Sequence, residues 1–145
     1  MIEIGEYVRY SAYMDIEAVQ SKIAGIAQKH GLDFVVLFGS QATGKTHPKS
    51  DIDIGIISKA PFDINRLTID FYYDVFKRED VEVVDLSSVS STLMRAVVRD
   101  GKLLYERTDG LFMQWKLYAI KIWMETAWMR KVRDRKLVEW AERHR

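Results

Sequence analysis

The sequence predicts an α+β domain that ends in a long helix. Three observations carry this. Short apolar runs bounded by polar turns read as strands, amphipathic stretches between them read as helices, and neither glycine nor proline occurs after Gly110. At 145 residues with 48% hydrophobic and 30% charged side chains, the chain fits one globular domain over 1–145 rather than two.

The elements follow in order. Asp15 is placed to cap a helix whose Ile16, Val19, Ile23, Ile26 and Ala27 recur at helical spacing, and His30-Gly31 is a glycine stop. Asp33 to Phe38 is a continuous apolar run, expected as a buried strand. A polar loop with Gly44 and Pro48 leads to a second strand, Asp51 to Ile57, in which acids alternate with isoleucine. Pro61 to Glu79 forms an amphipathic pattern with Ile64, Leu67, Phe71, Val75 and Phe76 on one side. Val81 to Leu86 is a third strand, Ser90 to Arg99 a brief helix ended by Gly101, and Leu103 to Tyr105 an edge strand.

The final segment, about 109–143, is expected as helix. Unbroken it would run roughly 50 Å, whereas a domain of this size has a radius of gyration near 15 Å. It therefore either breaks or packs on another chain. Leu111, Trp115, Tyr118, Ile122, Met129 and Val132 lie on an approximate heptad stripe, with Phe112, Trp123 and Trp128 off it. A helix apolar nearly all round suits a homo-oligomer or helical partner, or burial within its own domain.

Composition excludes several classes. There is no cysteine, so disulfides, thiolate metal sites and a cysteine nucleophile are out. Formal net charge is +1, giving no global field for nucleic acid or anionic membrane, and direct nucleic-acid binding is not expected. Charge is uneven, however: Arg130 to Arg145 holds seven Lys/Arg against Asp134, Glu139 and Glu142, a balance of +4 that leaves −3 elsewhere. No window nears the ~18 apolar residues of a membrane span, and MIEIGEYVRY lacks the basic-then-apolar order of a signal peptide, so a cytoplasmic location is expected.

Two motifs compete for one loop. Gly39-Ser-Gln-Ala-Thr-Gly44-Lys45-Thr46 fits the phosphate loop of P-loop NTPases, and Val81 to Asp85 resembles their metal-binding strand. A P-loop, however, opens a helix that leads to a parallel strand, and the residues after Thr46 leave no room for one. In the other reading, Asp51 and Asp53 leave the same side of a strand, where two carboxylates can share hard cations. Ile52, Ile54 and Ile56 point the opposite way and fix the register. Gly39 lets backbone approach a triphosphate, and Ser40 offers a hydroxyl and amides to it. A phosphate cradle is thus set beside a metal site.

The run Leu37-Phe38-Gly39-Ser40, ten residues, Asp51-Ile52-Asp53 resembles the GSx₁₀DxD signature of the DNA polymerase β nucleotidyltransferase superfamily, and within it the minimal nucleotidyltransferase (MNT) group. The likeness covers about 15–106. It implies a small mixed β-sheet core packed with helices and Mg²⁺-dependent transfer of a nucleoside monophosphate, with two ions held by Asp51, Asp53 and a third carboxylate. Gly39 and Ser40 would hold the triphosphate, with Lys45 and Lys49 flanking it. Of the two acids that could supply the third carboxylate, Glu82 and Asp85, Glu82 is chosen because it matches the hydrophobic-acid-hydrophobic pattern, although many relatives carry aspartate, while Asp85 is placed to cap the next turn.

Stand-alone chains of this length resemble the MNT antitoxins of HEPN/MNT toxin–antitoxin pairs. That resemblance implies transfer of AMP from ATP to a tyrosine of a HEPN toxin. The alternative is a catalytically weak subunit that neutralises by steric masking. The chain is not itself the toxin, since none of His30, His47 and His144 follows an arginine in R-x₄₋₆-H spacing.

Overall fold

A computed structural model describes residues 16–43, 51–77 and 79–145. Helix α1 (Ile16–His30) buries Ile23, Ile26 and Ala27. It stops where Gly31 takes φ 69°, with Gly31 N–H donating to Gln28 O at 3.2 Å. The expected cap, Asp15, lies outside the described residues. Strand β1 (Leu32–Phe38) is buried along its whole length, and a single turn, α2 (Ser40–Thr43), follows. After β2 (Ile52–Ser58) comes α3 (Ile64–Asp70), started by Asp63, whose carboxylate accepts from the Asn65 and Arg66 amides.

Helix α3 runs directly into π-helical turns over Phe71–Phe76. A π turn closes i→i+5, so Phe71 and Phe76 return to one side. Both are buried with Val75, their ring centroids 6.3 Å apart. Ile64, expected on the apolar side, is 37% exposed. Strand β3 (Val81–Asp85), a 3₁₀ turn (Leu86–Ser88), α4 (Ser91–Asp100, capped by Ser90) and β4 (Lys102–Glu106) complete the core.

The four strands form one mixed sheet ordered β3-β2-β1-β4. Strand β1 is antiparallel to β2 and β4, while β2 and β3 are parallel, joined through α3. Side-chain alternation divides the core in two. Val35, Leu37, Ile52, Ile54, Ile56, Val81 and Val83 pack with α1 and α3. Phe34, Val36 and Phe38 pack with α4 and with the helix that follows β4, where Phe34 meets Phe112 at 5.2 Å and Trp115 at 5.8 Å between ring centroids.

The long C-terminal helix is not continuous. It consists of α5 (Leu111–Glu125) and α6 (Ala127–Arg143), separated at Thr126. Glu106 carboxylate oxygens accept from the Gly110 and Phe112 amides and so hold the start of α5. At the break, Thr126 Oγ1 donates to Ile122 O at 2.7 Å, and Arg130 donates to Trp123 O at 2.6 Å and to Thr126 Oγ1 at 2.7 Å. The guanidiniums of Arg130 and Arg95 stand 3.4 and 5.0 Å from the Trp123 ring centroid. Leu111, Trp115 and Ile122 of the expected heptad stripe are taken up by the domain's own core, whereas α6 buries none of its side chains. No described helix is long and apolar enough to cross a membrane.

One charge lies deep in the fold. Asp33 is 4% exposed and accepts from Arg107 Nη2 at 2.7 Å and Nε at 3.2 Å, while Arg107 N–H donates to Asp33 O. Removing Arg107 strands a buried carboxylate. Arg107→Ala is therefore expected to lower unfolding free energy by about 1–3 kcal/mol, read from urea denaturation at neutral pH.

A second ionic contact ties α1 to α3. Asp70 Oδ2 lies 2.7 Å from His30 Nε2 and accepts from Lys29 Nζ at 3.1 Å. The His30 hydrogen bond outweighs opposing burial and, with Lys29, holds the Asp70 carboxyl below its ordinary value of 3.8. A depressed carboxyl stabilises the fold above its unfolded value, and this is lost as pH falls through the folded one. Asp70→Asn should thus lower the urea midpoint at neutral pH, with the gap to the parent closing below 3.8.

Candidate active site

The candidate residues gather where β1 ends and where β2 and β3 begin. Burial of Ile52, Ile54 and Ile56 against α1 and α3 turns Asp53 to the other side of the sheet. Asp53 then stands between Phe38 of β1 and Glu82 of β3, paired with each across the sheet. Asp51, just before β2, is exposed, as is Glu82, while Asp53 is half-buried. Burial above all, then the charges of Glu82 and Asp51, raises the Asp53 carboxyl above its ordinary 3.8. The three acids therefore share one electrostatic neighbourhood.

Gly39 joins this cluster through its backbone. It has φ 73°, a left-handed conformation costly for other residues. A Cβ placed there would overlap Asp53 Oδ2 and come within 3.1 Å of Asp53 Cγ. Ser40 begins α2, and Ala42 N–H donates to Gly39 O at 3.1 Å, so the chain turns sharply beside Asp53. The glycine-after-strand signal is visible in the sequence; its packing against the second aspartate of the D-x-D is not.

Asp85 is placed elsewhere. It pairs with Ile56, three positions further along the strands, and its carboxylate accepts from Ser87 N at 3.0 Å and Ser87 Oγ at 2.7 Å. It closes the turn after β3 and is engaged there. Lys45 and Lys49, with Gly44, Thr46, His47 and Ser50, lie outside the described residues. The P-loop reading conflicts with topology, because β2 pairs antiparallel to β1 rather than parallel to it.

The cluster suits a hard divalent cation chemically. Its donors are carboxylate oxygens, and no ion pair neutralises Asp51, Asp53 or Glu82 among the described residues. Gly39 leaves Asp53 Oδ2 room that any side chain would fill. Among the described residues no three acids or histidines converge closely enough to enclose a cation unaided.

Comparison with known proteins gives the context. The sequence profile of the family described as "Polymerase beta, Nucleotidyltransferase" matches residues 21–110. A protein adenylyltransferase MntA from Shewanella oneidensis is 37% identical over 84 residues, which cover 56% of this chain and 60% of that protein. One from Aphanizomenon flos-aquae is 30% identical over 92 residues, covering 56% and 61%. The match thus spans about three fifths of each curated relative's length. Among solved structures, a toxin-antitoxin crystallised with AMP-PNP superposes with TM-score 0.70 at 26% identity, covering 82% of this chain and 98% of the other. A chain from the complex of tri-AMPylated Shewanella oneidensis HEPN toxin with MNT antitoxin shares the fold, with TM-score 0.66 at 23% identity over 84% and 98%.

The contact between Gly39 and Asp53 can be tested by coupling. Gly39→Ala should cost about 1–2 kcal/mol from the left-handed backbone alone, plus a steric part against Asp53. In an Asp53→Ala background the steric part should vanish and the backbone part remain. A double-mutant cycle from urea unfolding reads both.

Proposed function

Since the chain belongs to the polymerase β nucleotidyltransferase family, we propose that it transfers AMP from ATP to a hydroxyl of a partner protein, a tyrosine of a HEPN-type toxin, and so acts as an adenylylating antitoxin. The observation that carries the reading is the pairing of Asp53 with Glu82 across β2 and β3, with Gly39 pressed against Asp53. The adenylyltransferase relatives and the structural likeness to a toxin-antitoxin holding an ATP analogue support the nucleotide and the partner class.

In this reading Asp51, Asp53 and Glu82 would hold Mg²⁺, which would supply charge neutralisation of the triphosphate and polarisation of the reacting phosphate. Gly39 and Ser40 offer backbone and hydroxyl to the triphosphate, and Lys45 and Lys49 flank it. The acceptor oxygen forms a bond to the α-phosphorus while the bond from that phosphorus to the bridging oxygen breaks. Pyrophosphate leaves, and the hydroxyl proton passes to Glu82 or through it to solvent. Glu82 is exposed, at the start of an edge strand, so a macromolecular hydroxyl can reach it from solvent. Asp85, bound to Ser87, has a structural part instead.

The test is mass spectrometry of the partner after incubation with this chain, ATP and Mg²⁺. An AMP adduct on tyrosine is expected, abolished by Asp51→Asn or Asp53→Asn. Glu82→Gln should slow transfer on the order of 10²–10⁴-fold, whereas Asp85→Asn should stay near the parent rate. Neutralisation of the toxin without an adduct, surviving both aspartate substitutions, would replace this reading with steric masking.

A further inference from the structure

Helix α5 has two apolar sides, and among the described residues the core takes one. Phe112, Trp115 and Ala119 are buried in the domain. On the opposite side Met113, Leu117, Ile120 and Met124 are 54%, 61%, 42% and 69% exposed. Their spacing of four, three and four residues places them on one continuous stripe. Trp128, four residues beyond across the break, is 66% exposed. Together they leave on the order of 500 Å² of apolar surface, more than an ordinary scattering of surface hydrophobics and a large share of the ~800 Å² that each partner contributes to a standard interface.

We propose that this stripe is a homodimer interface, in which α5 of one copy packs antiparallel on α5 of a second about a two-fold axis between Leu117 and Ile120. The spacing is the same read from either end, so one two-fold operation sets Met113 against Met124 and Leu117 against Ile120 of the other copy. Such self-complementarity is what an isologous interface requires. The antiparallel sense sends the two basic α6 segments to opposite ends of the pair and brings Gln114 beside Lys121. A parallel pair would instead lay two α6 segments, each part of the +4 run, alongside one another.

The Arg130 and Thr126 contacts at the break fit the same arrangement. They fix the direction of a helix that buries nothing in its own domain. In the antiparallel pair α6 passes beyond the start of the other copy's α5, where exposed Asp109 faces its basic residues.

Sedimentation equilibrium of the full chain across the micromolar range tests the proposal. The parent should run at twice its 16.9 kDa mass. Leu117→Glu with Ile120→Glu should run as a monomer with an unchanged far-UV circular dichroism spectrum, since both side chains are exposed. The chain has no cysteine, so single cysteines report the geometry directly. A mixture of Leu117→Cys and Ile120→Cys chains should oxidise to a covalent heterodimer well ahead of either chain alone. A parent that stays monomeric, a dimer indifferent to the glutamates, or preferential linking of Leu117→Cys to itself would each overturn it. So would a stripe shielded only when a different protein is bound.

Discussion

Strand β2 has hydrogen-bonded neighbours on both edges and apolar layers on both faces, so its register admits no slip. Moving it by one residue would bury Asp53 among α1 and α3 and turn Ile52, Ile54 and Ile56 out together. Three fully buried isoleucines, each stabilising by about 1.5–3 kcal/mol, hold it against that shift. The same register sets Asp53 beside Glu82 and under Gly39. The apolar half of β2 is thus what positions the acidic half.

That positioning has an electrostatic cost. Asp53 is half-buried and feels two further carboxylates, which raises its carboxyl. Elsewhere in the fold the buried Asp33 and the half-buried Asp70 and Asp85 have partners: Arg107 for Asp33, His30 and Lys29 for Asp70, and Ser87 as a hydrogen-bond donor for Asp85. The contrast sets Asp51, Asp53 and Glu82 apart from the structural acids. Repulsion retained in a folded site is what a cationic ligand would relieve, in line with the proposed Mg²⁺ site.

The carboxyl-terminal helices extend the domain in a different way. Helix α5 closes the second core through Phe112 and Trp115 and has a second stripe left over. Helix α6 is held by hydrogen bonds to the end of α5 and by the Trp123 ring rather than by burial. Order without burial is maintained here by satisfying helix-end carbonyls locally, with Arg130 bonded to Trp123 O.

Periodicity and stop signals in the sequence located α1, the first three strands, α4 and the spacing of the acids, because each depends on neighbours a few residues apart. Gly31 as a helix stop and the alternation of Asp51 to Ile56 are of this kind. Other features depend on contacts between distant segments. The sequence favoured Glu82 over Asp85 by local pattern, and strand pairing set Glu82 beside Asp53 and Asp85 beside Ile56. It showed an apolar carboxyl-terminal segment; the tertiary structure broke it at Thr126 and chose which stripe the core would take. The π turns of Phe71–Phe76 and the Asp33–Arg107 pair had no local signal, since packing and a contact 74 residues apart created them. Local chemistry was written in the order of residues, and the choice among equally good local options was made by whatever came to lie opposite.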